Sequence, residues 1–155
     1  MVDQLSQLLQ IFLSSMIPGV EAKVVVPYAI YSLGWKWWQI FPIAIIGNMF
    51  LVPIGLKFFK YEEQFLRKFN WSRKFIDNVL SRVRNRTNKK IERYKNLALI
   101  FFVALPLPLT GAGLGVVIAY LFDFKFYVSF ILIFIGVIIA TFITTICYLM
   151  GAYIL

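Results

Sequence analysis

Leu105-Pro106-Leu107-Pro108-Leu109-Thr110-Gly111 interrupts the charge-free run 96–122 and decides how the chain is read. Two prolines remove backbone donors and clash with the preceding turn, so no straight helix passes through. About nine apolar residues precede the break and about eleven follow it. At 1.5 Å per residue each piece is roughly 14–17 Å long, half of a bilayer core of about 30 Å. The first half of the chain repeats the pattern: a helix-compatible run 4–17 meets Pro18-Gly19, and a second piece runs from about Val20 to Leu33. Half-length helices around a Pro/Gly break read as re-entrant hairpins, because irregular backbone at membrane depth is tolerated only inside protein or along a cavity. Kinked full spans are the other reading. The charge-free runs 37–56 and 126–155 are long enough for ordinary spans.

Composition agrees with a membrane domain. Of 155 residues, 61% are hydrophobic and 15% charged, with mean hydropathy +0.79. Soluble domains run nearer 45–50% apolar and about 25% charged. That excludes an ordinary soluble enzyme, a disordered chain and a disulfide scaffold. There is no histidine, so imidazole metal sites and Ser-His-Asp triads are unavailable. Neither metal nor cofactor is expected. The single cysteine, Cys147, has no partner within the chain. The start, Met1-Val2-Asp3-Gln4, lacks the basic region of a signal peptide, so the apolar segments are expected to stay in the mature protein.

The charge is segregated. Residues 57–95 hold thirteen Lys/Arg and four acids, which is the whole net charge of +9. Arg82, Arg84, Arg86, Lys89 and Lys90 form its densest part. Basic residues beside spans stay cytoplasmic, which places 57–95 inside. The segment is also amphipathic: Phe65, Leu66 and Phe69 share a stripe, and Ile76, Val79, Leu80 and Val83 follow helical spacing. Asn70-Trp71-Ser72 reads as a break with a cap. Such helices lie in the headgroup plane on anionic lipid. Tethering between apolar stretches argues against a nucleic-acid partner.

The two apolar halves resemble each other at a shift of 89 residues. Tyr31 and Lys36 fall on Tyr120 and Lys125, Trp35 on Phe124, and Gly47 on Gly136. A hairpin plus one span leaves the basic segment opposite the N terminus, so the halves have inverted topology, a recurring transporter plan. The expected fold is an all-α integral membrane protein in a single domain, 1–155. Residues 1–56 form one repeat of re-entrant helical hairpin plus transmembrane helix. Residues 57–95 are the basic amphipathic connector, and 96–155 the second repeat. Both termini are then outside.

In such folds the broken helices meet near the midplane. The helices after each break begin near Val20 and Ala112, and their N termini favour an anion. Thr110 can cap its helix, and Gly111, Gly113 and Gly115 allow close backbone approach or helix packing. Glu21 and Lys23 follow Pro18-Gly19 inside apolar sequence. Charges there are costly and usually functional. A desolvated Glu21 could take and release a proton near neutral pH. Asp3, Lys36, Asp123 and Lys125 read as interfacial anchors, and Trp35, Trp37 and Trp38 as an aromatic belt. Asn48, Thr141, Thr144 and Thr145 are buried polar candidates, more suited to bonding helices or backbone than substrate.

Two motifs carry a family resemblance. Ile17-Pro18-Gly19-Val20-Glu21-Ala22-Lys23-Val24-Val25-Val26-Pro27 resembles the "Glu, basic residue, then Pro" signature of the putative small multi-drug export protein family. Val103-Ala104-Leu105-Pro106-Leu107-Pro108-Leu109-Thr110-Gly111-Ala112, with Arg93-Tyr94 before it and Ala119-Tyr120 after it, resembles its second signature. The match departs at Lys23, where arginine is common, and at Leu109, where glycine is common. The resemblance extends to the wider DedA-like superfamily, which has two re-entrant hairpins in inverted repeats and is implicated in moving lipids across bilayers. This chain lacks that group's second-half membrane arginine. The resemblance implies substrate or proton roles for Pro18, Gly19, Glu21, Lys23, Pro106, Pro108, Thr110 and Gly111.

The leading functional expectation is a transporter or flippase for an anionic lipid of polyprenyl-phosphate type or a small amphiphile, with or without proton coupling. Export of small cationic drugs, with Glu21 as counter-charge, is the first alternative. A non-transporting scaffold bound to anionic lipid is the second. No nucleophile–base pair points to an enzyme. Membrane lipids are the expected partners, and a homodimer through the Gly-bearing span 126–155 is plausible. The resemblance implies the plasma (inner) membrane of a bacterium or archaeon.

Overall fold

The structure is a computed structural model that describes residues 2–66, 89–106 and 111–152. These are helical: α1 Val2–Met16, α2 Glu21–Leu33, α3 Trp37–Phe50, α4 Val52–Leu66, α5 Lys89–Ala104, α6 Ala112–Leu121 and α7 Phe126–Ala152. The proposed break at 70–72, the stripes at 69 and 76–83, and Arg82, Arg84, Arg86, Leu107, Pro108, Leu109 and Thr110 lie outside the described residues. Lys89 and Lys90 open α5.

Helix lengths follow the breaks. α1 stops at Met16, where the Ile17 carbonyl accepts from the N–H groups of Val20 and Glu21, each at 3.2 Å. Gly19 takes φ 96° in that turn, a left-handed value that suits glycine. α2 begins at Glu21, one residue later than the sequence reading placed it. Its 13 residues span about 20 Å, and the 10 residues of α6 about 15 Å. α3 and α4 are separated only by a bend at Leu51, so Trp37–Phe59 forms one apolar stretch of 23 residues. That stretch and Phe126–Gly151 are, among the described residues, the two helices long and apolar enough to cross a membrane.

α1 and α2 fold back on each other. The Trp35 indole N–H donates to Gln7 Oε1 at 2.9 Å, which closes the open end of that hairpin. Trp35, expected as part of an aromatic belt, is thus a hydrogen-bonded tie between the two arms of the hairpin. α1 packs on α3 and α5 on α7, α2 lies against α3 and α7, and α6 against α4 and α7. The core holds Val26, Ile40, Val52, Leu99, Val103 and Ile133. Large apolar side chains face outward along every helix, including Leu5, Leu9 and Leu13 on α1 and Ile131, Phe134, Ile135 and Ile139 on α7. Apolar surface of this extent belongs against lipid.

The 89-residue shift reappears in the contacts. Tyr31 stacks edge-on against Tyr148, with ring centroids 6.5 Å apart. The residues 89 positions from them, Tyr120 and Phe59, also pair, at 5.6 Å. Gly34 and Asp123 both take positive φ, 69° and 54°, at the ends of α2 and α6. Gly47 lets α3 approach α1, where a Cβ would stand 2.5 Å from the Phe12 carbonyl oxygen. Gly136 lets α7 approach α5, where a Cβ would stand 2.6 Å from the Val103 Cβ. Gly136 is therefore used inside the chain, while Gly151 faces open space.

Candidate functional site

Glu21 and Lys23 meet where most of the helices converge. Both are buried, at about 5% and 6% exposure, and Lys23 Nζ stands 3.3 Å from Glu21 Oε2. Residues two apart on a regular helix do not face each other. They pair here because Glu21 is not helical in φ. Its value is +46°, a left-handed conformation that costs a residue with a Cβ about 1–2 kcal/mol. That turn of the chain sends the carboxylate toward the start of α6. It lies directly against Gly111, where a Cβ would overlap it. Gly111 is needed here for space.

The N terminus of α6 thus receives a carboxylate, as the partial positive charge of a helix start favours. The sequence reading gave capping to Thr110. The N-cap is instead Gly111, with no side-chain cap hydrogen bond. Thr110 itself lies outside the described residues. Pro106 is exposed at the end of α5, and Pro18 is exposed beside the first break.

Two spaces flank the pair. One is a cavity of about 170 Å³ lined by Met16, Pro18, Glu21, Asn48, Leu51, Val52, Gly55, Phe59, Ala112, Gly113 and Val116. Glu21 is its charged wall residue, and the amide of buried Asn48 stands in the same wall. Lys23 does not line it. The other is a narrow cleft, without room for a water molecule, lined by Glu21, Lys23, Asn48, Val103, Gly111, Val137, Ala140 and Thr141. Glu21 thus borders both spaces, and Lys23 borders only the second.

The polar residues on the spans behave as their chemistry requires. Thr141 donates to the Val137 carbonyl at 2.8 Å, and Thr145 to Thr141 at 2.7 Å. Thr144 donates to Ala140 and Thr141. Their hydroxyls are satisfied within α7, as expected of serine and threonine in membrane helices. Asn48 and Thr141 nonetheless line the spaces beside the charged pair. Sequence reading missed the apolar wall residues Val103, Val116 and Phe59, because nothing in a hydrophobic run distinguishes a cavity-facing side chain from a lipid-facing one. The expected anchors Asp3, Lys36, Asp123 and Lys125 are exposed. Lys36 also sits over the Trp38 ring at 5.1 Å.

A family model described as Putative small multi-drug export protein matches residues 21–143. No curated protein and no solved structure gives a significant match. The matched span takes in Glu21, Lys23, Gly111, the whole of the first long apolar helix and most of the second, well over half of the chain. The chain belongs to that family, and with its apolar helices it is a membrane protein.

Proposed function

We propose that this member of the small multi-drug export protein family is a membrane transporter that carries small cationic amphiphiles, with Glu21 as the counter-charge. The observation that supports this reading is the character of the cavity. Its wall offers a carboxylate, an amide and otherwise apolar side chains, while Lys23 lies behind Glu21. A cation entering the cavity reaches Glu21 first and competes with the Lys23 ammonium for it.

Charge balance in a buried site supplies the coupling. The resting pair is neutral. An added cation would leave net positive charge in a low-dielectric interior, which is expensive. Loss of one proton from the Lys23 ammonium, as the cation takes over the Glu21 carboxylate, restores neutrality. Transport is then an exchange of one proton for each monocation, without an enzymatic step, cofactor or metal.

The architecture in this reading is two inverted repeats, each a re-entrant hairpin and a span. The matched contacts at 89-residue spacing support it, as do the short lengths of α2 and α6. The same plan supports a distant relation to DedA-like proteins. The basic segment 57–95 is cytoplasmic and lies on anionic lipid, both termini are outside, and the membrane is a bacterial or archaeal plasma membrane. Nucleic acid has no role, and a homodimer would use a surface other than Gly136.

A second reading keeps support from one observation. The N terminus of α6 and Lys23 together could hold a phosphate, as in an anionic lipid of polyprenyl-phosphate type. That anion would have to displace Glu21 from Gly111.

The test uses proteoliposomes with an imposed pH gradient, following ethidium in one set and a labelled polyprenyl phosphate in another. The expected result is gradient-driven ethidium movement that Glu21→Gln abolishes. Polyprenyl-phosphate transfer that depends on Lys23, without ethidium movement, would establish the second reading instead. Movement of neither probe by folded, inserted protein would leave a lipid-bound scaffold.

A further inference from the structure

The open cavity and the closed cleft occupy equivalent places under the 89-residue shift. Asn48, Leu51 and Val52 line the cavity, and their counterparts Val137, Ala140 and Thr141 line the cleft. Ala112, at the start of α6, lines the cavity, and its counterpart Lys23, at the start of α2, lines the cleft. Four positions thus match, and Glu21 and Asn48 border both spaces.

The two spaces differ in size. The cavity between α4 and α6 measures about 170 Å³. The cleft between α2 and α7 has no room for water. Bulky walls do not explain the closure, because Ala140 stands where the cavity has Leu51, and Thr141 where it has Val52. Small side chains let α2 and α7 come together, with the Lys23 stem between them. Leu51 is 37% exposed and Ala140 3%.

We infer that the cleft lined by Lys23, Val137, Ala140 and Thr141 is the second half of the substrate path, and that it opens as the cavity lined by Ala112, Asn48, Leu51 and Val52 closes. This inference rests on the transport reading above. Opening separates α2 from α7, draws Lys23 out of the gap and parts Tyr31 from Tyr148. Closing brings α6 down on α4. The exchange of roles needs no new fold, because each repeat takes the packing that the other has now. Along α3 and α4 the cavity runs from Asn48 toward Phe59 and so toward the basic segment. The structure is thus the inward-open form, and the cleft leads outward toward Tyr148.

Thiol accessibility separates the two states. In a Cys147→Ser background, single variants Leu51→Cys and Ala140→Cys are reconstituted and exposed to a membrane-impermeant methanethiosulfonate from each side. Leu51→Cys is expected to react only from the side of the basic segment. Ala140→Cys is expected to react only from the opposite side, and at least tenfold more slowly in unloaded vesicles. An ethidium gradient is expected to change the two rates in opposite directions. A second arm joins Tyr31→Cys to Tyr148→Cys with a short bifunctional maleimide. This should stop Ala140→Cys labelling and leave Leu51→Cys reactive. Ethidium transport with Ala140→Cys unreactive from both sides would overturn the inference and spare the transport reading. Opposed labelling without movement of ethidium would do the reverse. Labelling of both sites that rises and falls together would indicate a continuous pore and overturn the alternation.

Discussion

Glu21 shows how one backbone angle makes a site. A helical φ would leave its carboxylate and the Lys23 ammonium on different faces, two buried charges without each other. The left-handed φ of +46° joins them at 3.3 Å and seats the carboxylate on Gly111. Removing one partner strands the other, which costs about 3–5 kcal/mol for a buried pair. Lys23→Met is therefore expected to lower stability by that order, and the double variant Glu21→Gln/Lys23→Met to recover most of it, as thermal unfolding in detergent would show. Equal losses in the single and double variants would mean that the charges are not coupled. Gly111→Ala places a methyl group into the carboxylate and is expected to cost about 1–3 kcal/mol or more. Gly113→Ala, with nothing within 4 Å of its Cβ, is expected to be neutral or to gain up to about 1 kcal/mol from helix propensity. That contrast, two residues apart, tests whether space or backbone freedom keeps each glycine.

At the scale of elements, prolines and glycines set the lengths and glycines set the spacing. α2 and α6 are short because Pro18-Gly19 and the Pro106–Gly111 stretch stop the preceding helices and restart the chain. The approach of α3 to α1 at Gly47 leaves no room for a Cβ beside the Phe12 carbonyl. A backbone oxygen cannot rotate away as a side chain can. Gly47→Ala is expected to destabilise by about 1–3 kcal/mol, and Gly136→Ala by a comparable amount, since Val103 is fully buried opposite it. Measured midpoints in denaturant that left Gly47→Ala at the wild-type value would contradict this packing. The pairing of Gly47 with Gly136 was legible in the sequence as a coincidence of register. Their common use, each at the crossing of a hairpin's first helix with its span, was not.

For the whole molecule, charge segregation and parity of spans give a sidedness that one native residue reports. Cys147 is exposed near the end of α7, and the topology proposed here places it near the outer face. An impermeant maleimide is expected to label it from outside in intact cells, while a tag inserted in 67–88 is reached only after permeabilisation. Labelling of Cys147 from the cytoplasm would invert the topology and with it the direction of the open cavity. A wider cavity and a narrow cleft flank the one charged pair.

Composition, charge and the Pro/Gly breaks determined the all-helical, membrane character of the chain, the positions of the broken helices and the suspicion that Glu21 and Lys23 matter. Each of these depends on neighbouring residues: a missing donor, a forbidden φ, an apolar run long enough to cross lipid. Tertiary structure alone decided that Glu21 reaches Gly111, that Asn48 and Thr141 flank the pair, and that Glu21 and not Lys23 lines the wider cavity. Those outcomes join segments about ninety residues apart. They are set by how closely helices pack at Gly47 and Gly136, and a hydrophobic sequence gives the same local signal whether a side chain faces lipid, core or cavity.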